Sequence, residues 1–300
     1  MRDLSQRAIA LPTGVTLNVA VEGPKGREAI IFLHGFPESH RTWRHQFDAL
    51  KDSHFCVAPD QRGFASSDKP EGVENYATGK IIEDLIALAD ALEIDRFTLA
   101  GHDWGGAVAW GAAITRPDRI ARLVIANAPH PLLFTRALYE DKAQREASQY
   151  IRAFRDRAND PFIKEHGLAA FLAKTVKWDR SPSMDDKERN IYFEDWARPG
   201  APFGMLNWYR AAPIEVPEPD EDIERPALLD ADFPKLKMPV LVVWGMGDLA
   251  LLPGQTEGLD EVVENLTFVP IEDSGHFAPW EAPEQVTEAI EKFLAANPAN

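Results

Sequence analysis

Apolar positions along the 300-residue chain fall into two spacings. Apolar runs at Ala29–Leu33, Phe55–Ala58, Ile94–Ala100, Ile120–Ala126, Val240–Trp244 and Leu266–Pro270 predict strands. A continuous run such as the first suits a strand buried on both faces. Ala8–Leu11 and Val15–Val21 alternate apolar with polar residues around Pro12-Thr13-Gly14, which predicts an opening hairpin. Helical spacing separates the strands: Ile81, Leu85, Leu88 and Leu92 share one face of Tyr76–Leu92, and Val286, Ile290 and Phe293 share one face of Pro283–Leu294. This alternation predicts an α/β fold with a mostly parallel, doubly wound sheet.

The pattern changes near Leu132. From there to about Val216 the chain reads as helices without a convincing parallel strand, rich in aromatic residues such as Phe134, Tyr139, Tyr150, Phe154, Tyr192, Trp196, Trp208 and Tyr209. The expected organisation is a core formed by residues 1–131 and 217–300, with 132–216 inserted as an α-helical cap, or lid. The acidic, Pro-rich stretch Pro213–Pro234 returns the chain to the sheet.

Composition narrows the partners more than the fold. A formal net charge of −16 argues against nucleic acid or an anionic membrane surface. The single cysteine, Cys56, excludes an intrachain disulfide and sits in an apolar run, as a buried thiol would. Neither an N-terminal apolar leader nor a membrane-length apolar run is evident, so a cytoplasmic location is the default expectation. Cys/His spacings typical of metal sites and Gly-rich phosphate loops are missing, so no cofactor is expected. A homodimer is compatible with the aromatic lid, but the sequence carries no decisive mark for one.

The chemistry centres on Gly101-His102-Asp103-Trp104-Gly105, which follows an apolar strand and precedes Gly106-Ala107-Val108-Ala109. A strand, a very tight turn and a closely packed helix give the spacing of a nucleophile elbow, with aspartate where serine usually stands. Asp is also a favoured helix N-cap, and that reading accounts for Asp103 taken alone. A carboxylate is ionised near neutral pH and attacks a saturated carbon bearing a leaving group, forming an alkyl ester. Hydrolysing that ester needs a base, a group to orient it, and donors for an oxyanion. His276 lies in Gly275-His276-Phe277 after the last strand, and Asp248 ends Trp244-Gly245-Met246-Gly247-Asp248 after the preceding one. The order nucleophile, acid, histidine matches the elbow architecture. The loop after Ile120–Ala126 offers Asn127 where a carboxylate would otherwise compete. His34-Gly35-Phe36-Pro37 at a strand end suits an oxyanion loop, with the amides of Phe36 and Trp104 as donors. His102 reads as packing or as a helper of the elbow turn, His130 as a weak candidate for lid contact, and Arg62 and Asp68 as structural ion-pairing groups.

Together these motifs resemble the epoxide hydrolases of the α/β-hydrolase fold across nearly the whole chain. The resemblance implies two lid tyrosines that hold and protonate the oxirane oxygen. Tyr209, in Leu206-Asn207-Trp208-Tyr209-Arg210, matches one position, and Tyr150, in Ser148-Gln149-Tyr150-Ile151, matches the other; Tyr139 and Tyr192 are fallbacks. His34, Pro37, Trp104, Trp208 and Phe277 are expected to line an apolar pocket for a small epoxide, with water as co-substrate. Haloalkane dehalogenases share this core, and the resemblance to them implies a halide donor, often Asn, where Phe36 stands; Phe36 has no side-chain donor. A non-catalytic binder of small apolar ligands is the remaining alternative, and the complete Asp103, Asp248 and His276 set argues against it.

Overall fold

The computed structural model describes residues 4–176, 184–221, 223–230 and 233–299. Eight strands form one sheet: β1 (Gln6–Ala10), β2 (Thr16–Glu22), β3 (Ala29–Leu33), β4 (Phe55–Pro59), β5 (Phe97–His102), β6 (Ile120–Ala126), β7 (Val240–Gly245) and β8 (Leu266–Ile271), in the order β1-β2-β4-β3-β5-β6-β7-β8. β1 and β2 form the opening hairpin, and β2 also runs antiparallel to β4. The pairings from β4 through β8 are parallel.

Residue parity along the strands builds two cores. Ile31, Leu33, Val57, Leu99, Leu123, Ile125, Val240 and Val242 face one side, where α2 (Thr78–Ala91) and α3 (Trp104–Thr115) pack. Ile30, Phe32, Cys56, Ala58, Val124, Leu241 and Val243 face the other, against α1 (Arg44–Leu50), α11 (Ala278–Glu281) and α12 (Pro283–Ala296). Burial on both faces explains why these strands are continuous apolar runs rather than alternating ones. Helix α10 (Leu259–Val262) lies between β7 and β8 in sequence.

Between β6 and β7 the chain is helical: α4 (Pro131–Glu140), α5 (Lys142–Ala147), α6 (Gln149–Arg155), α7 (Asp160–Thr175), α8 (Asp186–Trp196) and α9 (Ala201–Ala211). Their buried residues, including Phe154, Trp196, Leu206 and Trp208, join the same core cluster as α2 and α3. Trp196 Nε1 donates to the Pro37 carbonyl at 2.6 Å, and Arg41 forms a buried ion pair with Glu188. Among the described residues no helix is long and apolar enough to cross a membrane.

Topology places the site. From β3 the chain steps to β4 on one side; after β5 it proceeds to β6 on the other. The carboxyl ends of β3 and β5 therefore flank the point where strand order reverses, where open parallel sheets present ligand crevices.

Candidate active site

Asp103 occupies the turn between β5 and α3, at φ 50° and ψ −121°. Positive φ is costly for a residue with a Cβ, and such strain persists where the surroundings over-determine it. The surroundings are tight: a Cβ on Gly105 would lie 2.3 Å from the Leu33 carbonyl oxygen, and one on Gly35 would lie 2.4 Å from the Asp103 Cβ. The Phe36 amide thereby reaches Asp103 and donates to Oδ1 at 2.7 Å. Trp104 opens α3, so its amide has no acceptor within the helix.

His276, on the loop after β8, presents Nε2 to Asp103 Oδ2 at 3.5 Å, and its Nδ1 lies 2.7 Å from Asp248 Oδ2. Asp248 is buried and has both oxygens occupied. Oδ1 accepts from the amides of Ala250 and Leu251, each at 2.9 Å; Oδ2 accepts from Asn127 Nδ2, also at 2.9 Å, besides its contact with His276. The site expected from sequence does not include Asn127, whose left-handed backbone at φ 42° is what turns it toward Asp248. Asn with φ above zero is a recognisable turn signal, but its partner lies 121 residues away in sequence.

Burial opposes the charge on His276, but Asp248 and Asp103 outweigh it and raise its pKa well above the ordinary imidazole value. Burial likewise opposes the charge on Asp103; His276 chiefly, with His102 and the Phe36 amide, more than offsets it and holds the carboxyl below its usual range. Both shifts favour an Asp103 carboxylate paired with a His276 imidazolium in the free protein. His102 Nε2 donates to the His276 carbonyl at 2.8 Å, bracing that loop.

Two cavities meet at this point. The larger, about 490 Å³, is bounded by Asp103, Trp104, Leu132, Leu138, Tyr150 and Tyr209 among others. The smaller, about 250 Å³, is bounded by Phe36, Pro37, Asp103, Tyr150, Tyr209, His276 and Phe277. Asp103, Tyr150 and Tyr209 line both. The Tyr209 ring is enclosed by Trp104, Phe36 and Phe154 with centroids at 5.0, 5.1 and 4.9 Å, and Tyr150 lies edge-on at 6.2 Å. Burial, with the negative charge of Asp103 as a lesser contribution, drives both phenol pKa values upward, so both hydroxyls stay protonated. Tyr139 lines only the larger cavity and Tyr192 neither.

Two expected pocket residues are corrected. His34 is fully buried beneath the site, accepting from the Gln61 amide through Nε2 at 3.0 Å, and borders neither cavity. Trp208 turns inward, donating from Nε1 to the Arg62 carbonyl at 3.0 Å and packing on Phe64 and Trp104. Arg62 pairs with Asp84 at 2.5 Å rather than with Asp68, whose Oδ2 accepts from the Thr16 amide at 2.7 Å. His130 caps α4 by accepting from the Leu132 amide and is buried against Trp110 and Phe233.

The arrangement can perform a displacement by a carboxylate and then activate water against the resulting ester. A strained elbow residue, an amide at its oxygen, a histidine–aspartate pair and helices over the carboxyl edge of the sheet define a hydrolase of the α/β type. The chain belongs to the α/β hydrolase fold family, whose model matches residues 28–283. It is 32% identical over 293 residues to the AB hydrolase superfamily protein YfhM of Bacillus subtilis (strain 168), covering 94% of this chain and 95% of that one. It is 31% identical over 326 residues to epoxide hydrolase A of Mycobacterium tuberculosis, covering 94% of each. Among solved structures, one described as novel epoxide hydrolases of the alpha/beta hydrolases superfamily in metagenomes from hot environments matches with 51% identity and a TM-score of 0.94, covering 98% of this chain and 99% of that one.

Proposed function

We propose that the protein is a cofactor-independent epoxide hydrolase that opens an oxirane to a vicinal diol through an ester on Asp103. The observation that carries the reading is the shared wall of the two cavities: Asp103 faces the same space as two protonated phenols, with His276 against its free oxygen. The names of the relatives point to the same chemistry.

In the first step Asp103 Oδ2 attacks an oxirane carbon, since Oδ1 is engaged by the Phe36 amide. The carbon–oxygen bond of the ring breaks; one of Tyr150 and Tyr209 passes its proton to the released oxygen while the other donates a hydrogen bond to it, and the phenolate so formed regains a proton from the His276 imidazolium, leaving the imidazole neutral. In the second step His276 Nε2 takes a proton from water, whose oxygen attacks Cγ of Asp103. Oδ1 then carries negative charge, stabilised by the Phe36 and Trp104 amides. Collapse breaks the ester bond; the proton held by His276 passes to the departing diol oxygen, and the proton left on the new Asp103 carboxyl passes to His276, restoring the starting pair. Esterification also readies the base: it cancels the negative charge of Asp103, one of the interactions that raise the His276 pKa. Asp248 and Asn127 keep the imidazole aimed throughout. Residues 132–216 act as a cap over the core, contributing both phenols and most of the apolar wall. Pro37, Trp104 and Phe277 border the substrate.

The test is diol formation from styrene oxide beside halide release from bromobutane, each with Asp103→Ala as control. Diol without halide, lost in the variant, is the expected result. Halide without diol overturns the epoxide reading in favour of dehalogenation.

A further inference from the structure

Helices α6 and α9 each carry one cavity tyrosine, and each is gripped by an arginine of the other. From α6, Arg155 Nη1 donates to the carbonyls of Tyr209 at 2.6 Å and Ala212 at 2.7 Å. From α9, Arg210 Nε donates to the Phe154 carbonyl at 3.3 Å, while its guanidinium pairs with Asp160 just beyond α6. The grip is reciprocal in sequence as well. Each arginine directly follows the aromatic residue whose carbonyl the opposite arginine holds: Phe154-Arg155 and Tyr209-Arg210.

This pairing has a physical purpose beyond solvation. The last carbonyls of a helix lack partners within it, and a guanidinium is favoured there by the helix dipole. Helix α6 has seven residues, too few to be stable alone, so tertiary anchors must set its orientation. Between the two grips lies Phe154, whose ring packs on Tyr150 at 5.4 Å and Tyr209 at 4.9 Å. The carbonyl that Arg210 holds thus belongs to the residue that spaces the two phenols.

We propose that Arg155 and Arg210 form a reciprocal clasp that fixes Tyr150 and Tyr209 as one unit above Asp103. They are positioning residues, acting through the tyrosines on ring opening and not on ester hydrolysis. The inference rests on the proposed role of the tyrosines. Lysine keeps the charge but is shorter and lacks the planar fork, so it restores only part of the grip.

Single-turnover reactions with styrene oxide, followed by intact mass, separate formation of the ester on Asp103 from its decay. Arg155→Gln should slow ester formation by about 10- to 100-fold, the scale of an ångström-sized misplacement of a reacting group. Ester decay should keep the parental rate, and Arg155→Lys should recover part of the loss. In a Tyr209→Phe background the same Arg155→Gln change should cost much less, because residues acting through one group are not additive. Equal slowing of both steps, or the same factor in both backgrounds, overturns the clasp and leaves Arg155 a stabilising residue. Asp160→Asn loosens only the Arg210 side and serves if Arg155→Gln does not fold: selective slowing of ester formation supports the clasp, and an unchanged rate overturns it. Should Tyr209→Phe itself form ester at the parental rate, the role of the phenol falls first and the clasp with it.

Discussion

Asn127 Nδ2 donates to the same oxygen of Asp248 that faces His276 Nδ1, at 2.9 Å and 2.7 Å respectively. Removing Asn127 leaves that oxygen with one partner in a fully buried setting, and the hold on the carboxylate falls to the two amides at Oδ1. A hydrogen bond to a buried charge contributes about 1.5–3 kcal/mol. Asn127→Ala is therefore expected to slow hydrolysis of the Asp103 ester by about tenfold or more, while ester formation changes little. Intact-mass analysis under turnover should show the alkylated protein accumulating in the variant.

Gly35 sets how closely the Phe36 amide, the proposed oxyanion donor, approaches Asp103. A Cβ there would lie 2.5 Å from Asp103 Oδ1, the oxygen that accepts from the Phe36 amide. Gly35→Ala must push either the carboxylate or the amide out of register. Loss of one oxyanion donor costs about 100- to 1000-fold in turnover. The expected outcome is a folded protein, by circular dichroism and melting temperature, with turnover reduced on that scale.

The charge pattern of the site has a sign that can be read. Asp103 is one of the interactions that raise the His276 pKa, after Asp248. The substitution Asp103→Asn removes that negative charge, as the ester does, and should lower the imidazole pKa. Titration of the imidazole by NMR in parent and variant checks this. The parental value should lie above the ordinary value of about 6.5, and the variant value below the parental one. Ester hydrolysis should accordingly rise with a midpoint at a lower pH than the one at which His276 titrates in free protein. A variant that titrates with the parent would remove the argument that esterification readies the base.

Cys56 lies on β4 among the residues facing α1 and α12. Burial, with a lesser contribution from Glu22, pushes its thiol up to about 12. Because the thiolate is the reactive form, native protein should resist alkylation by iodoacetamide at mildly alkaline pH, and react stoichiometrically once unfolded in guanidinium. Rapid labelling of native protein would contradict the packing of that face.

Much of this was legible in the sequence, for a physical reason. Strands buried on both faces are forced into continuous apolar runs, so Ala29–Leu33 and Ile120–Ala126 read true to the residue. Asp103 and His276 stood out as candidates because glycines and strand ends bracket them. What escaped was direction and distant pairing. Trp208 adjoins Tyr209, yet successive helical residues point about 100° apart, so one faces the core and the other the cavity. His34 ends a buried run, and nothing in its neighbours reveals that its ring points down toward Gln61. The bonds from Asn127 to Asp248 and from Arg155 to Tyr209 span 121 and 54 residues, beyond the reach of local pattern.

The charges around the two cavities bear on which epoxides enter. Among the described residues, neither cavity is lined by lysine or arginine; the ionisable carboxylates at their walls are Asp103, Glu215 and Glu281. Glu215 is exposed at the larger cavity, whose wall is otherwise mostly apolar. In the larger cavity a substrate carboxylate would find no lysine, arginine or histidine and would meet the like charge of Glu215. At the effective dielectric of a protein surface, like charges several ångströms apart oppose one another by about 1 kcal/mol or more, enough for roughly fivefold discrimination. Methyl phenylglycidate should therefore be preferred over phenylglycidate in kcat/KM. The preference should shrink with added salt and in Glu215→Gln, because exposed charges are screened. Equal kcat/KM for acid and ester would show that the walls exert no charge selection, and would direct attention to the shape of the larger cavity as the source of specificity.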